Sequence, residues 1–224
     1  MQNPAMLKFD LQCLSADEVG AYTWSGLRMR KDPLSASNLL NFAIADLKDG
    51  DVAASASPRH LVNALSNAKK ALHLRLEDVC LGLGCGSLKS VNSFPKLIAY
   101  ARNCGVVAPR VLERLNSRRN MVEHEFDVPK KEDVENFVDV VQLFLSATDR
   151  WEFRMPEDVD YDGTAAASNG SLLRGLYFDW TRGAVTLKFK AAGAQFTDPS
   201  DLLTFKSPSD EFFQCVRFVL ENDS

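Results

Sequence analysis

Between Ser57 and Val79 the chain reads SPRHLVNALSNAKKALHLRLEDV, and Leu61, Leu65, Ala68, Leu72, Leu76 and Val79 return every three or four residues. That spacing lines all six side chains along one stripe of an α-helix, with Ser57 and Pro58 as its start signal. A helix of this kind owes most of its stability to whatever covers its apolar stripe, so it demands neighbours. The flanking sequence predicts them. Before it, SASNLLNFAIADLKDGD carries Leu39 or Leu40, Ala43, Ile44 and Leu47 at helical spacing and predicts a helix over about 36–49. After it, CLGLGCGS ends the long helix on three glycines, and a shorter helix around PKLIAYARNC stops at Gly105.

Pro109 then opens a helix that turns Val111, Leu112, Leu115 and Val122 inward. Beyond a break at Pro129, EDVENFVDVVQLFLSATDRW brings Val134, Phe137, Val138, Val141 and Leu145 to one face. Five helices joined by short loops predict an antiparallel bundle over 36–150. Strand periodicity appears on either side of it. MLKFDLQCL alternates Leu7, Phe9 and Leu11 with Lys8, Asp10 and Gln12, which predicts an N-terminal strand within a connecting segment, 1–35. From 151 to 224 the sequence predicts a small α+β unit. It has a hairpin in LLRGLYFDWTRGAVTLKFK and a last helix, capped by Ser209, that buries Phe212, Val216, Val219 and Leu220. The expected class is mainly α, a helical bundle followed by that unit.

Net charge is −4 with a pI near 5.5, which excludes a global basic field, so any nucleic-acid contact has to be local. The densest basic stretch is Arg110, Arg114, Arg118 and Arg119. Cys13, Cys80, Cys85, Cys104 and Cys215 are odd in number and never spaced CxxC, so they read as reduced thiols and not as a zinc site or disulfide framework. No window approaches the ~18 uninterrupted apolar residues of a membrane span, and the first residues lack an apolar signal core. A cytoplasmic chain is expected.

The basic stretch runs into SRRNMVEHEF, residues 117–126. On a helix Asn120 and His124 are neighbours, as are Arg119 and Glu123. The Asn120/His124 stripe faces away from the core positions Val111, Leu115 and Val122, whereas Arg118 and Arg119 fall nearer the core side and reach round on long stems. An arginine keeps its charge and binds two phosphate oxygens at once, which steadies a phosphorane. A histidine exchanges protons near neutral pH, as activation of a ribose 2′-hydroxyl or protonation of a departing 5′-oxygen requires. The same residues also suit a hydrated helix face, and by spacing alone the signal is weak.

The segment resembles the R-x4-6-H motif of HEPN domains, in which an arginine, usually followed by a polar residue, precedes a histidine near the end of a bundle helix. Arg119, Asn120 and His124 match it with four intervening residues; Arg118 matches with five, and Asn120 favours Arg119. The resemblance covers about residues 36 to 150. NLLNFAIADLKDG resembles the family's first helix and HLVNALSNAKKALHLRLED its second, while RNMVEHEFDVPKKEDVENFVDVVQLFL resembles the motif helix, loop and final helix. It implies a HEPN-like bundle and a metal-independent endoribonuclease with no cofactor, acting on RNA as a toxin, defence effector or processing enzyme. His124 would be its acid/base, Arg119 would stabilise the phosphorane, and Asn120 would orient phosphate or histidine. Arg110, Arg114 and Arg118 would line the RNA path. A homodimer with two motifs in one cleft, and a cognate antitoxin or regulatory protein, are the implied partners. The alternative is a non-catalytic HEPN-like dimerisation or partner-binding module. Phe126 stands where some such toxins carry a modified tyrosine, which puts that route of neutralisation in doubt.

The other candidates read more plainly. GLGCGS follows a helix and lacks GK[ST], so it predicts a helix-ending loop and not a phosphate loop. His60 and His73 read as polar-surface residues of the long helix. Trp151, Trp180, Tyr177 and Phe178 suit either a base-stacking platform or, more often, the core of a small sheet.

Overall fold

The computed structural model describes residues 7–26, 34–52, 58–87, 91, 93–106, 129–195 and 198–222. Its helices are α1 (Ala36–Val52), α2 (Pro58–Gly82), α3 (Phe94–Asn103), α4 (Lys131–Asp149) and α5 (Asp210–Asn222). Its strands are β1 (Val19–Ser25), β2 (Met155–Tyr161), β3 (Leu172–Asp179), β4 (Ala184–Lys190) and β5 (Asp201–Lys206), which form one antiparallel sheet in the order β1-β2-β3-β4-β5.

The expected mainly α class, a HEPN-like bundle with an appended unit, is therefore corrected: the protein is α+β, five helices and a five-stranded sheet among the described residues. Three strands escaped the sequence, β1, β2 and β5, and the last two did so because neither has a clean period of two. In β2, MPEDVDY mixes a proline and three acids with its buried positions, and in β5, DLLTFK is an edge strand without one fully buried residue. The N-terminal strand is also corrected. Residues 7–10 form no ladder and 11–13 make a 3-10 turn capped by Asp10, whose side chain accepts from the Gln12 amide. The alternation there is still satisfied by packing, since Leu11 is buried and the Phe9 ring meets Phe189 edge-on at 5.2 Å. The strand that joins the sheet lies later, at β1.

Helix boundaries follow the punctuation. The Ser35 hydroxyl accepts the Asn38 amide at 3.1 Å while the Asn38 side chain accepts the Ser35 amide at 3.0 Å, a reciprocal cap at the start of α1. Gly105, at φ +80, ends α3 with a bond from the Val106 amide to the Ala101 carbonyl. Ser209 caps α5 as expected, its hydroxyl accepting the Phe212 amide at 3.2 Å.

The sheet turns one face to the core. Val159, Leu176, Leu187 and Leu203 stand in register across four strands, with Phe178, Val185 and Phe205 in the next row. A register shift between Leu173 and Gly175 keeps Leu173 on that face although it lies three residues from Leu176. A Cβ at Gly175 would stand 3.1 Å from the Val159 carbonyl oxygen, a tight contact that the glycine spares the β2–β3 ladder. Each fully buried Leu or Phe in these rows contributes about 2–3 kcal/mol of transfer free energy.

Helix α5 joins the sheet to the helical layer. Phe212, Phe213, Cys215, Val216, Val219 and Leu220 are buried, an arc of roughly 160° at 100° per residue, too wide for one neighbour. On the helical side Phe213 meets Tyr100 at 5.3 Å, Arg217 donates to the Asn103 carbonyl at 2.7 Å, and Arg150 donates to the Leu220 carbonyl at 3.4 Å.

Candidate functional site

Every residue assigned to the RNA site by sequence, namely Arg110, Arg114, Arg118, Arg119, Asn120 and His124, falls within 107–128 and lies outside the described residues. The structure describes what borders that stretch. On one side α3 closes on Gly105 and the buried Val106; on the other, Pro129 is buried and α4 opens at Lys131, with Glu132 and Asp133 in its first turn.

The helical layer contains charge that the sequence analysis did not single out. Arg75 is 1% exposed and Asp78, one turn on, is 4% exposed. The guanidinium of Arg75 donates to Asp149 at the end of α4. The signal was present in the sequence, for Arg75 sits between Leu72, Leu76 and Val79 on the apolar stripe, where a charge has to be paired. Such a guanidinium clamps α2 to α4.

His60 is partly buried and not a plain surface residue, with Nδ1 3.9 Å from Asp46 Oδ1, beyond hydrogen-bond range. Asn67 holds the other carboxylate oxygen of Asp46 at 3.1 Å, so an imidazole, a carboxylate and an amide meet between α1 and α2. His73 lies 3.6 Å from Glu77 and sets its ring edge against Phe94 at 5.4 Å. The described contacts do not bring these two histidines together.

Cys80, Cys85, Cys104 and Cys215 are buried and free, as the reduced-thiol expectation has it, and Cys13 is exposed. A hydrogen bond to Cys85, then burial, pushes the Cys80 thiol well up, and the same bond draws Cys85 down. Burial pushes Cys215 up to about 12 and Cys104 well above the thiol range. These are packing thiols. The GLGCGS segment is the helix-ending loop expected: the Leu83 amide bonds the Val79 carbonyl at 2.9 Å and Gly84 takes φ +86. Its backbone lies against Gly183 in the β3–β4 turn, and the Tyr100 hydroxyl donates to the Leu83 carbonyl at 2.9 Å.

A second polar knot ties the N-terminal segment to the sheet. Glu18 accepts the Tyr161 hydroxyl at 2.7 Å and the Thr164 amide at 3.1 Å, and these two bonds, in that order, hold its carboxyl below the ordinary 4.5. Burial and then the bond to Glu18 push Tyr161 up to about 12. A depressed carboxyl contributes stability that is complete above its unfolded value and is lost as pH falls through the folded one. The raised phenol contributes stability complete below its ordinary 10.0 and lost as pH rises through about 12. Thermal unfolding midpoints should therefore fall below pH 4.5 less steeply in Glu18→Gln than in wild type, and Tyr161→Phe should flatten the alkaline limb. Unchanged slopes in both variants would reject the assignment.

Of the four aromatics weighed as a platform, Trp151, Phe178 and Trp180 are core residues, Trp180 stacked on Phe178 at 4.6 Å. Tyr177 alone faces out. Sequence reasoning overlooked Trp24, 43% exposed, over whose ring the Arg154 guanidinium lies at 4.5 Å. A groove of about 210 Å³ runs between Leu11, Leu14 and the α5 residues Gln214, Arg217 and Phe218. No helix among the described residues is long and apolar enough to cross a membrane. Comparison with family models, with curated proteins and with solved structures finds no match to the chain.

Proposed function

We propose that the protein is a metal-independent endoribonuclease of the HEPN type, acting in the cytoplasm as a homodimer. The observation that carries this reading is the run Arg119, Asn120 and His124, placed by the sequence between two helices whose near ends are Asn103 and Lys131. His124 takes the proton from a ribose 2′-hydroxyl, and the freed oxygen attacks the adjacent phosphorus. Arg119 stabilises the charge of the phosphorane with Asn120 holding the phosphate, and an imidazolium then protonates the departing 5′-oxygen. The products are a 2′,3′-cyclic phosphate and a 5′-hydroxyl. A twofold dimer supplies base and acid from two His124 side chains in one cleft, bordered by Arg110, Arg114 and Arg118 of each chain. A cognate antitoxin or other regulatory protein is the natural restraint on such an activity.

The test is cleavage of mixed single-stranded RNA in excess EDTA. Wild type should cut, and His124→Ala should be slower by about a hundredfold or more. Intact RNA with wild type, or equal cutting by the variant, removes the proposal. The second reading, a non-catalytic HEPN-like dimerisation or partner-binding module, is favoured by exposed Phe42, Val62 and Leu143 on α1, α2 and α4. It predicts no cleavage and an association broken by Leu143→Asp.

A further inference from the structure

The sheet has two edges, β1 and β5, and they are built differently. Strand β1 pairs with β2 through two register shifts, between Val19 and Tyr22 and between Thr23 and Trp24, and such irregularities turn the outer side of a strand away from a new partner. Strand β5 has no such defence. It pairs with β4 without a shift, from Lys206 opposite Ala184 to Asp201 opposite Phe189, so its outward backbone is a regular template. It holds no proline, and its charges stand only at the two ends. Asp201 is already held, by Asn169 at 2.8 Å and Ser171 at 3.1 Å. Between the ends Leu202 is 61% exposed, and Leu203 and Phe205 are only partly buried at the margin of the core.

The sequence of β5 complements itself. Antiparallel pairing of two copies about a twofold axis at Thr204 sets every residue opposite one of its own face. On the core face Leu203 meets Phe205 of the second copy, which carries the row of Leu176, Leu187 and Leu203 across the axis. On the outer face Thr204 meets Thr204, extending the hydroxyl contact of Thr186 with Thr204 at 2.9 Å by a favourable cross-strand pair. Leu202 meets Lys206, whose stem covers it while the ammonium stays in water. No like charges stand opposite each other. Other registers are poorer: an axis at Leu203 sets the acid of Asp201 against the Phe205 ring, and one at Phe205 sets Leu202 against Pro208, past the end of the strand. Pairing β5 with β1 head to tail would grow filaments, and the shifts in β1 oppose it, whereas β5 with β5 closes at two.

We propose that β5 is a self-association edge, through which two copies of the chain pair antiparallel about Thr204 and join their five-stranded sheets into one of ten. The interface goes beyond the endoribonuclease reading and uses none of its residues; it is distinct from a dimer that sets two His124 side chains in one cleft, and either can form without the other. Six residues of strand from each chain bury less surface than a standard interface, so the association is weak and rises with concentration.

The test uses the full chain carrying Cys13→Ser, which removes the exposed native thiol, and follows particle mass by analytical ultracentrifugation up to about 1 mM. The mass should double as concentration rises. Thr204→Lys, which brings two ammonium groups face to face on the axis, should raise the dissociation constant by about a hundredfold or more. Thr204→Cys should cross-link to its own copy under mild oxidation, because opposed Cα atoms of an antiparallel pair lie about 4.5–5.5 Å apart, within disulfide reach. Leu202→Cys should not, since Lys206 stands opposite it. A mass of one chain at every concentration overturns the proposal, and so does an association that Thr204→Lys leaves unchanged or a Leu202→Cys that cross-links as readily as Thr204→Cys. Should Thr204→Lys lose its cooperative melting, the two cysteine variants still decide, since each is a small change at an exposed position. RNA cleavage by a wild type whose association ignores Thr204→Lys removes this proposal alone; association through Thr204 in a chain that cuts nothing removes the nuclease reading alone.

Discussion

Gly84→Ala should destabilise the protein by about 3–4 kcal/mol, through two terms that act together. Gly84 has φ +86, where a Cβ costs about 1–2 kcal/mol, and that Cβ would lie 2.6 Å from the Gly183 Cα. The neighbour is backbone, in a turn that itself has φ +59, so no side chain can rotate away. Relief requires parting the end of α2 from the β3–β4 turn, near Phe212 of α5. Gly170→Ala separates the terms, since Gly170 has φ +82 with nothing within 4 Å of its would-be Cβ. It should cost only about 1 kcal/mol. Urea unfolding of both variants measures the difference, and equal losses would show that the two backbones do not press on each other.

Arg75→Ala is expected to cost a similar amount, about 3–5 kcal/mol, because it empties a buried volume and strips a charge from beside the buried Asp78. Arg75→Met, which refills most of that volume, should cost less than the alanine variant. The ion pair itself is a small part of the effect. The Asp149 side chain is 57% exposed, so solvent screens its end, and Asp149→Ala should lose at most about 1 kcal/mol. Denaturant midpoints of the three variants would establish this order. An Asp149→Ala loss equal to that of Arg75→Ala would mean that the pair, and not the buried stem and its neighbours, is what counts.

The described helices were legible because their signals are local; the helix expected from Pro109 lies outside the described residues. The run of Leu61, Leu65, Ala68, Leu72, Leu76 and Val79 needed only a period and a Pro58 start, and all six are buried on α2, which spans Pro58–Gly82. The β3–β4 hairpin was legible for the same reason, with strands of opposite phase meeting at a glycine-bearing turn. What failed was non-local. Strand β1 pairs with β2, whose Met155 and Pro156 face Ser25 and Trp24, and no local period records a partner so distant. The same distance concealed the stacking of Arg154 on Trp24. Arg75 went unremarked because a tally of apolar positions passes over a charge lying among them, although the stripe itself marks such a residue as paired. As for the proposed catalytic residues, sequence alone speaks for Arg119, Asn120 and His124, since 107–128 is outside the described residues.

The long span between β1 and its partner bears on the order of assembly. Strands β2 to β5 are successive neighbours and can zip as a meander, but β1 must close a loop on the order of a hundred residues, at an entropic cost that the helical layer has to reduce first. Its ladder is also broken by register shifts after Val19 and again between Thr23 and Trp24. Such a strand docks late and releases early, so amide exchange in β1 should report an opening of lower free energy than that of β3 or β4.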